Sequence, residues 1–480
     1  MNNDEQLKRA GSSRTVDQIS QRKFSNDQNF DSQRSLSKHA SNHFSSFAAL
    51  MSNTAGVTVL LMPKLFFQAG IISGSLQIIC VGLLTYISAS MLCEAGKATY
   101  SRTYFEIIHK AFGNFRYLPL FIYFVLLVGN IICYQTFVLK NLVPLVDYIF
   151  SLQYKPGTIQ FTLFALLLTV LVNIVILPFL FSRKLKIVKN LSTFCSAAIL
   201  VGVLIVLAVY FSPHTFGLPD RRIDWNLIEK FRFDGLYVSI GYYLLSFCFH
   251  LTVLDIADEV HPKTRHSTDL ILFFNCAAAA LIYLLVSFTG YFSIYTADNL
   301  QNMTNYINFL IVELGKNSIL LYVGDLLVII SVVFANILNY VPFIKYLNST
   351  FNAKPISLSK RRIDFKDGTD SLAEFDFHTD EDREAYKKRN RIIVWISFLI
   401  VFLLNLVITA KNVSLDVIFD FVGALCGPPV LLILPAILYL LVLKNQQIEK
   451  ATWFDHCLAY TLLLVGGGIW GFCIFGFFKI

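Results

Sequence analysis

From residue 45 onward the chain alternates long apolar runs with short polar connections, and the runs recur eleven times. They cover roughly 45–70, 71–95, 117–147, 159–181, 190–212, 235–257, 270–296, 318–346, 391–411, 415–443 and 456–478. Each is at least as long as the ~20 residues a helix needs to cross the hydrocarbon core of a bilayer. The pattern predicts an all-α polytopic membrane protein with eleven transmembrane helices. Short connections at 70–71 and 411–415 make spans 1 and 2, and spans 9 and 10, antiparallel neighbours. Residues 1–43 are different: rich in Ser, Asn, Gln and Asp and without an apolar core, they read as a disordered tail. The membrane domain is then 44–480, and its largest polar connection is 347–390.

The first apolar run is not a plain lipid anchor. It carries Ser52, Asn53, Thr54, Ala55 and Gly56 where leucines would serve, and Pro63 and Lys64 follow within the same span. A break in a lipid-embedded helix is tolerated only where protein or a cavity satisfies the freed backbone groups. The stretch therefore reads as an interrupted helix lining a site, or else as a close-packing surface of small residues.

Lysine and arginine set the orientation. The connection after span 4 holds Arg183, Lys184, Lys186 and Lys189, and that after span 8 holds Lys360, Arg361 and Arg362 among others. On the opposite side only the 213–234 connection is comparably basic. By the positive-inside rule the tail is cytoplasmic and Ile480 lies on the far side. The sequon at Asn302 then falls on the far side, where glycosylation is chemically open. The mixed basic and acidic stretch of 347–390 is a solvated linker on this reading.

Composition agrees. At 55% hydrophobic and 15% charged residues, with mean hydropathy +0.59, the chain has too few charges to clothe a soluble surface. The net charge of +8 is small for 480 residues and gives no footprint for nucleic acid. The nine cysteines all lie in or beside apolar runs without a CxxC spacing, so they read as buried hydrophobes rather than a disulfide or metal framework. No cofactor is expected.

An odd eleventh span suggests five plus five plus one. Spans 1–5 would begin on the tail side and spans 6–10 on the far side, the inverted-repeat arrangement of many secondary transporters, in which broken helices at matching positions mark the midplane site. Span 6 (GLYVSIGYYLLSFCFHLTVLDIADEVHP) is the counterpart of span 1, yet only Gly241 and Ser246 are weak breakers and no proline stands mid-span.

At these residues the chain resembles the amino acid/auxin permease family, eleven-span amino-acid transporters with a leucine-transporter-like core. Gly56–Pro63 is similar to the family's first-span signature, glycine-x-glycine-Ile-Leu-Gly-Leu-Pro, with Thr58 and Leu61 in place of its second and third glycines and Lys64 in place of the aromatic after proline. Ser246–Thr264 resembles its Phe-rich sixth span and acidic, proline-bearing inner loop. Thr103–Gly113 looks like its short inner helix, and Asp416–Pro435 like its tenth span. The resemblance covers about 45–478. It implies a secondary active amino-acid transporter, with a non-transporting amino-acid receptor of the same fold as the alternative.

The resemblance also implies where substrate would bind. Freed amides at a half-helix N-terminus attract a carboxylate, and the carbonyls of the preceding half attract an ammonium. The backbone ligands would be Thr54, Ala55, Gly56, Val57 and Thr58, with Phe247, Cys248 and Phe249 walling the side-chain pocket. Asn130 and Tyr134 share one face of span 3, although an aromatic packing between helices accounts for Tyr134 equally well. Candidate ion-coupling residues are His250, Ser331 and Asn336. The last two are too few for a sodium site beside Val333 and Ala335. Protons are a candidate partner, since histidine titrates in the right range, but an ordinary hydrogen bond from His250 to a neighbouring helix is the plainer account. An intramembrane enzyme built on His250 would want a polar partner group that the sequence does not offer, so an enzyme is not expected. Lys64, deep in span 1, needs a counter-charge, because a central charge costs at least ~2.5–3.5 kcal/mol. Asp420 on span 10 is the expected partner in an outer gate, and Asp325 on span 8 the fallback.

Topology is directly testable: an epitope after Ile480 should be inaccessible from the cytosol in intact cells and an epitope before Met1 accessible after selective permeabilisation. A cytosolic C-terminus would overturn both the orientation and the repeat.

Overall fold

The computed structural model describes residues 43–56, 58–101, 103–151, 157–181, 185–216, 230–259, 265–294, 306–312, 318–351, 380–444 and 452–479. The tail, Val57, the Asn302 sequon and most of the 347–390 connection lie outside the described residues. Among the described residues there are helices and no strands, and eleven stretches are long and apolar enough to cross a membrane. The expected spans are therefore present, with ends that shift by a few residues.

In chain order, span 1 is α1 (His43–Thr54) and, after a 3-10 turn at Val59–Leu61, α2 (Met62–Ala69). Span 2 is α3 (Ile71–Ala98), and α4 (Tyr104–Phe112) is the short helix on the tail side. Spans 3, 4 and 5 are α5 (Tyr117–Phe150), α6 (Ile159–Phe181) and α7 (Leu185–Phe211). Span 6 is again two pieces, α8 (Leu236–Ser246) and α9 (His250–Glu259). Span 7 is α10 (Arg265–Ile294), α11 (Tyr306–Val312) is short, and span 8 is α12 (Ile319–Phe351). Span 9 is α13 (Asp380–Ala410). Span 10 runs through α14 (Leu415–Leu425), a π-helical turn at Pro429–Ile433 and α15 (Leu434–Lys444), and span 11 is α16 (Trp453–Lys479).

Lipid is the solvent of this fold, and span 4 shows how. Leu163, Leu167 and Leu171, one turn apart, are exposed, whereas Ala165, Thr169 and Asn173 are buried. The apolar stripe points outward and the polar one inward, the reverse of a soluble helix. Spans 1, 6 and 10 are the most enclosed, 82%, 72% and 72% buried along their central windows, whereas span 11 is 22% buried and peripheral. Spans 1, 2, 6 and 7 pack on one another, as do spans 3, 4, 8 and 9, and span 5 packs against both spans 1 and 8.

The breaks have different local causes. In span 1 the helix stops at Thr54, Ala55 and Gly56 bend, and Pro63 occupies the first turn of α2, where its missing N–H costs nothing. Span 6 breaks at Phe247–Phe249 without glycine or proline. Span 10 is held close to span 6 by glycines. A Cβ on Gly423 would stand 2.7 Å from the carbonyl oxygen of Gly241, so the two backbones touch.

That contact predicts a selective loss of stability. Gly423→Ala should lower the thermal unfolding temperature of the detergent-purified protein by the equivalent of about 1–3 kcal/mol of overpacking. Gly467→Ala, whose Cβ would meet nothing within 4 Å, should leave it unchanged.

Candidate functional site

The two breaks face each other across span 7, and one side chain joins them. Tyr283 donates its hydroxyl to the carbonyl oxygen of Thr54, the last residue of α1, at 2.5 Å and to that of Ser246, the last residue of α8, at 2.8 Å. Both carbonyls are freed because no helical amide follows to take them. Asn275, two turns earlier on span 7, donates to the Thr54 hydroxyl at 3.0 Å, and Asn53 donates to Thr252 of α9 at 3.2 Å. The halves of spans 1 and 6 are thus tied to each other and to span 7 through buried polar groups.

Around this centre the expected backbone ligands are enclosed. Thr54, Ala55 and Thr58 are each less than a tenth exposed, Gly56 is buried, and Val57 is outside the described residues. The Tyr134 hydroxyl stands 2.5 Å from where a Cβ on Gly56 would be, so the tyrosine fills the space that the glycine leaves open. Asn130, one turn away, is buried on the same helix. Phe247, Cys248 and Phe249 are the break of span 6 itself. Phe247 packs its ring onto Gly82 of span 2 and edge-on to Tyr283 at 5.1 Å. Phe249 is fully buried beside the His250 ring.

The candidate ion-coupling residues do not converge. His250 Nε2 lies 2.7 Å from the Ser88 hydroxyl of span 2, the neighbouring-helix bond that was the plainer account, and Nδ1 has no partner among the described residues. Ser331 is bonded to span 5, its hydroxyl donating to the Cys195 carbonyl at 3.1 Å while the Cys195 thiol points back at the Ser331 carbonyl. Asn336 is buried with neither amide atom paired among the described residues. Among those residues no group of acidic, His and Cys side chains is arranged to hold a metal ion.

Lys64 is buried, 1% exposed, and has found a carboxylate, but not the expected one. Its ammonium contacts both oxygens of Asp416, at 2.8 and 3.0 Å, and Tyr242 of α8 donates to the same Asp416 Oδ1 at 2.6 Å. Asp420 sits one turn further along α14, with Oδ1 buried and without a partner among the described residues. Asp325 instead accepts from Asn308 of α11 at 2.9 Å. The expected pairing measured depth at the Lys64 Cα, whereas the four-carbon stem carries the ammonium toward the end of the span, level with the first turn of α14. On the tail side a second pair, Lys345 of span 8 to Asp255 of α9 at 2.6 Å, lies below the span 6 break.

Tyr283, Asn275, Tyr242, Asp416 and Lys345 were not among the expected site residues. The signal for the tyrosines was present: a tyrosine buried in an apolar span needs a partner for its hydroxyl, and in lipid a freed carbonyl is the partner in shortest supply.

A profile of the family described as "Transmembrane amino acid transporter protein" matches residues 39–478. The chain belongs to this family. Among curated relatives, this family member is 22% identical over 267 residues to human (Homo sapiens) "Solute carrier family 38 member 10", an alignment covering 55% of this chain and 23% of that protein. It is 22% identical over 430 residues to "Vacuolar amino acid transporter 4" of Saccharomyces cerevisiae, covering 88% of this chain and 56% of that one. The chain thus spans about half or less of the length of these relatives. Among solved structures it is similar to Mhp1, a nucleobase-cation-symport-1 family transporter in a closed conformation with bromovinylhydantoin bound. The TM-score is 0.52 at 11% identity, covering 91% of this chain and 90% of that one. The fold is therefore leucine-transporter-like, in a multi-pass membrane protein.

If Tyr283 supplies the hydrogen bonds that make the two breaks tolerable, Tyr283→Phe should cost about 1–3 kcal/mol, because two buried carbonyls lose their donor. Thermal unfolding in detergent measures this. An unchanged midpoint would mean that other groups satisfy both carbonyls.

Proposed function

We propose that this protein is a secondary active transporter of amino acids whose substrate binds where spans 1 and 6 are broken. The observation that carries the reading is the meeting of two helix breaks, at Ala55 and Gly56 of span 1 and at Phe247–Phe249 of span 6, at one enclosed centre within a family of amino acid transporters. An α-amino acid brings a carboxylate and an ammonium a few ångströms apart. The freed carbonyls of Thr54 and Ala55 suit the ammonium, and the amides of Gly56 and Thr58, which lead into the second half of span 1, suit the carboxylate. Tyr134, Asn130 and Cys248 would border the side chain. The described conformation is occluded, with Tyr134 against Gly56, and substrate entry requires that contact to open.

Lys64 and Asp416, with Tyr242, form the far-side gate on this reading: intact when the site is closed to that side, broken when it opens. Proton coupling is one candidate driving force, with His250, the first residue after the span 6 break, its candidate carrier, and uptake driven by an imposed pH gradient tests it. The yeast relative named above is an amino acid transporter by name, which supports the transporter reading over the receptor alternative. The membrane in question, plasma or vacuolar and lysosomal, follows from where the protein is found in cells.

The test is uptake of labelled L-amino acids into proteoliposomes. Wild type should accumulate at least one amino acid, and saturable binding without flux would overturn the transport reading in favour of a receptor. In the same assay Lys64→Ala and Asp416→Ala should each reduce uptake strongly. The swap Lys64→Asp with Asp416→Lys should restore part of it, giving a coupling of about 1–2 kcal/mol for a pair with one buried and one half-exposed partner. Simple additivity with no rescue would remove the gate.

A further inference from the structure

Span 10 is irregular beyond α14, and its prolines account for that. Pro429 has no N–H to give the Leu425 carbonyl, and the indole Nε1 of Trp470 on span 11 donates there instead, at 3.1 Å. In the π-turn at Pro429–Ile433 the Leu434 N–H bonds back to the Pro429 carbonyl. The next donor in that register would be Pro435, which again has no N–H, so the Val430 carbonyl is left over. Its partner comes from another helix. Tyr104, the first residue of α4, donates its hydroxyl to Val430 O at 2.8 Å. Both residues are buried, and the Tyr104 ring stands edge-on to Tyr123 of span 3 at 5.0 Å.

Pro435 leaves one orphan carbonyl in either of two registers. In the π register it is Val430 O. In an α-helical register the Leu434 N–H would take Val430 O, and the orphan would be Leu431 O, about 100° further round the helix. Tyr104 reaches the first, so its hydroxyl selects the π register. A π-turn holds one residue more than the α-turn it replaces, so the register also sets how α14 is rotated about its axis. In its first turn α14 carries Asp416, the partner of Lys64. We propose that Tyr104 is a positioning residue for the far-side gate: its hydroxyl holds span 10 in the register that presents Asp416 to Lys64. The tail-side helix α4 thus locks a contact at the opposite end of the bundle, and the gate opens when α4 gives up Val430 O. The element that carries this coupling is span 10 itself, which has two hydrogen-bonded registers for one sequence. The inference rests on the gate reading of Lys64 and Asp416, but the register can be followed without substrate or flux.

The experiment is hydrogen–deuterium exchange of the full-length, detergent-purified protein, read by mass spectrometry. Tyr104→Phe keeps the ring and removes only the hydroxyl. It should raise amide exchange in peptides covering 427–440 and, far from the substitution, in those covering 58–66 and 412–420. The rise should be about fivefold, the population change that one buried hydrogen bond brings. Pro435→Ala abolishes the orphan in both registers, so in that background the hydroxyl no longer selects between them. There Tyr104→Phe should leave far-side exchange unchanged, whereas a mere packing role for Tyr104 would show the same rise in both backgrounds. Wild-type far-side exchange in Tyr104→Phe would overturn the proposal, and so would an equal rise with and without Pro435→Ala. A failure of the gate reading shows separately, as additive Lys64 and Asp416 substitutions in the uptake assay with the exchange result unaltered.

Discussion

The shared hydroxyl of Tyr283 is the contact on which the rest of this structure depends. A helix broken in a low-dielectric interior exposes carbonyls whose desolvation costs several kcal/mol each if nothing replaces water. Tyr283 answers two of them, Thr54 O and Ser246 O, with one proton. That economy has a consequence for ligands. Each carbonyl oxygen has two lone pairs and a shared proton occupies them weakly, so both keep acceptor capacity directed into the centre.

Charged pairs stand at both ends of the helix bundle, and their partners differ. Lys64 is buried, bonds both oxygens of Asp416, and shares that carboxylate with Tyr242. Separating the pair leaves the buried Lys64 charge behind, but Asp416 is itself 42% exposed, so the cost falls below that of a fully buried pair. Lys345 and Asp255 are about a quarter to a third exposed, and water substitutes readily for the partner, so their contact is worth about 0.2–1 kcal/mol. The far-side contact differs from the tail-side one in having a buried lysine and a tyrosine that shares the carboxylate.

Much of this was legible in the sequence where the physics is local. The eleven spans follow from apolar length, the short helix at Tyr104–Phe112 from the motif after span 2, and the break of span 1 from Gly56 and Pro63. All nine cysteines are free, and seven of them are buried. The break in span 6 was only half legible, because it has no breaker of its own: it exists because Tyr283, on another helix, accepts the work of ending it. The partner of Lys64 was misplaced by one turn for a similar reason. Sequence position fixes a Cα, whereas a flexible stem chooses among carboxylates at Asp416 and Asp420 by what else is nearby, here Tyr242.

The side-chain hydrogen bonds divide the helices into two bodies. Asn53–Thr252, Thr54–Asn275, Ser88–His250, Ser90–Asp269 and Gln77–Ser239 join spans 1, 2, 6 and 7 to one another. Gln135–Asn173, Gln135–Tyr340 and Thr169–Thr409 join spans 3, 4, 8 and 9. In a lipid environment such bonds average about 0.6 kcal/mol each, so several acting together hold a group of helices more firmly than any one of them. Between the two groups lie apolar packing, such as the meeting of Gly56 with Tyr134, and the Lys345–Asp255 pair. Apolar surfaces slide at low cost, whereas a polar bond between the groups would have to be broken and replaced at each step. A motion of one group against the other keeps both networks intact, but it must release the Lys345–Asp255 contact and one of the hydrogen bonds by which span 5 joins both groups, Ser196 to the Ala48 carbonyl of span 1 or Ser331 to the Cys195 carbonyl of span 5. On the transporter reading proposed above, that is the form of alternating access which this distribution of polar side chains favours.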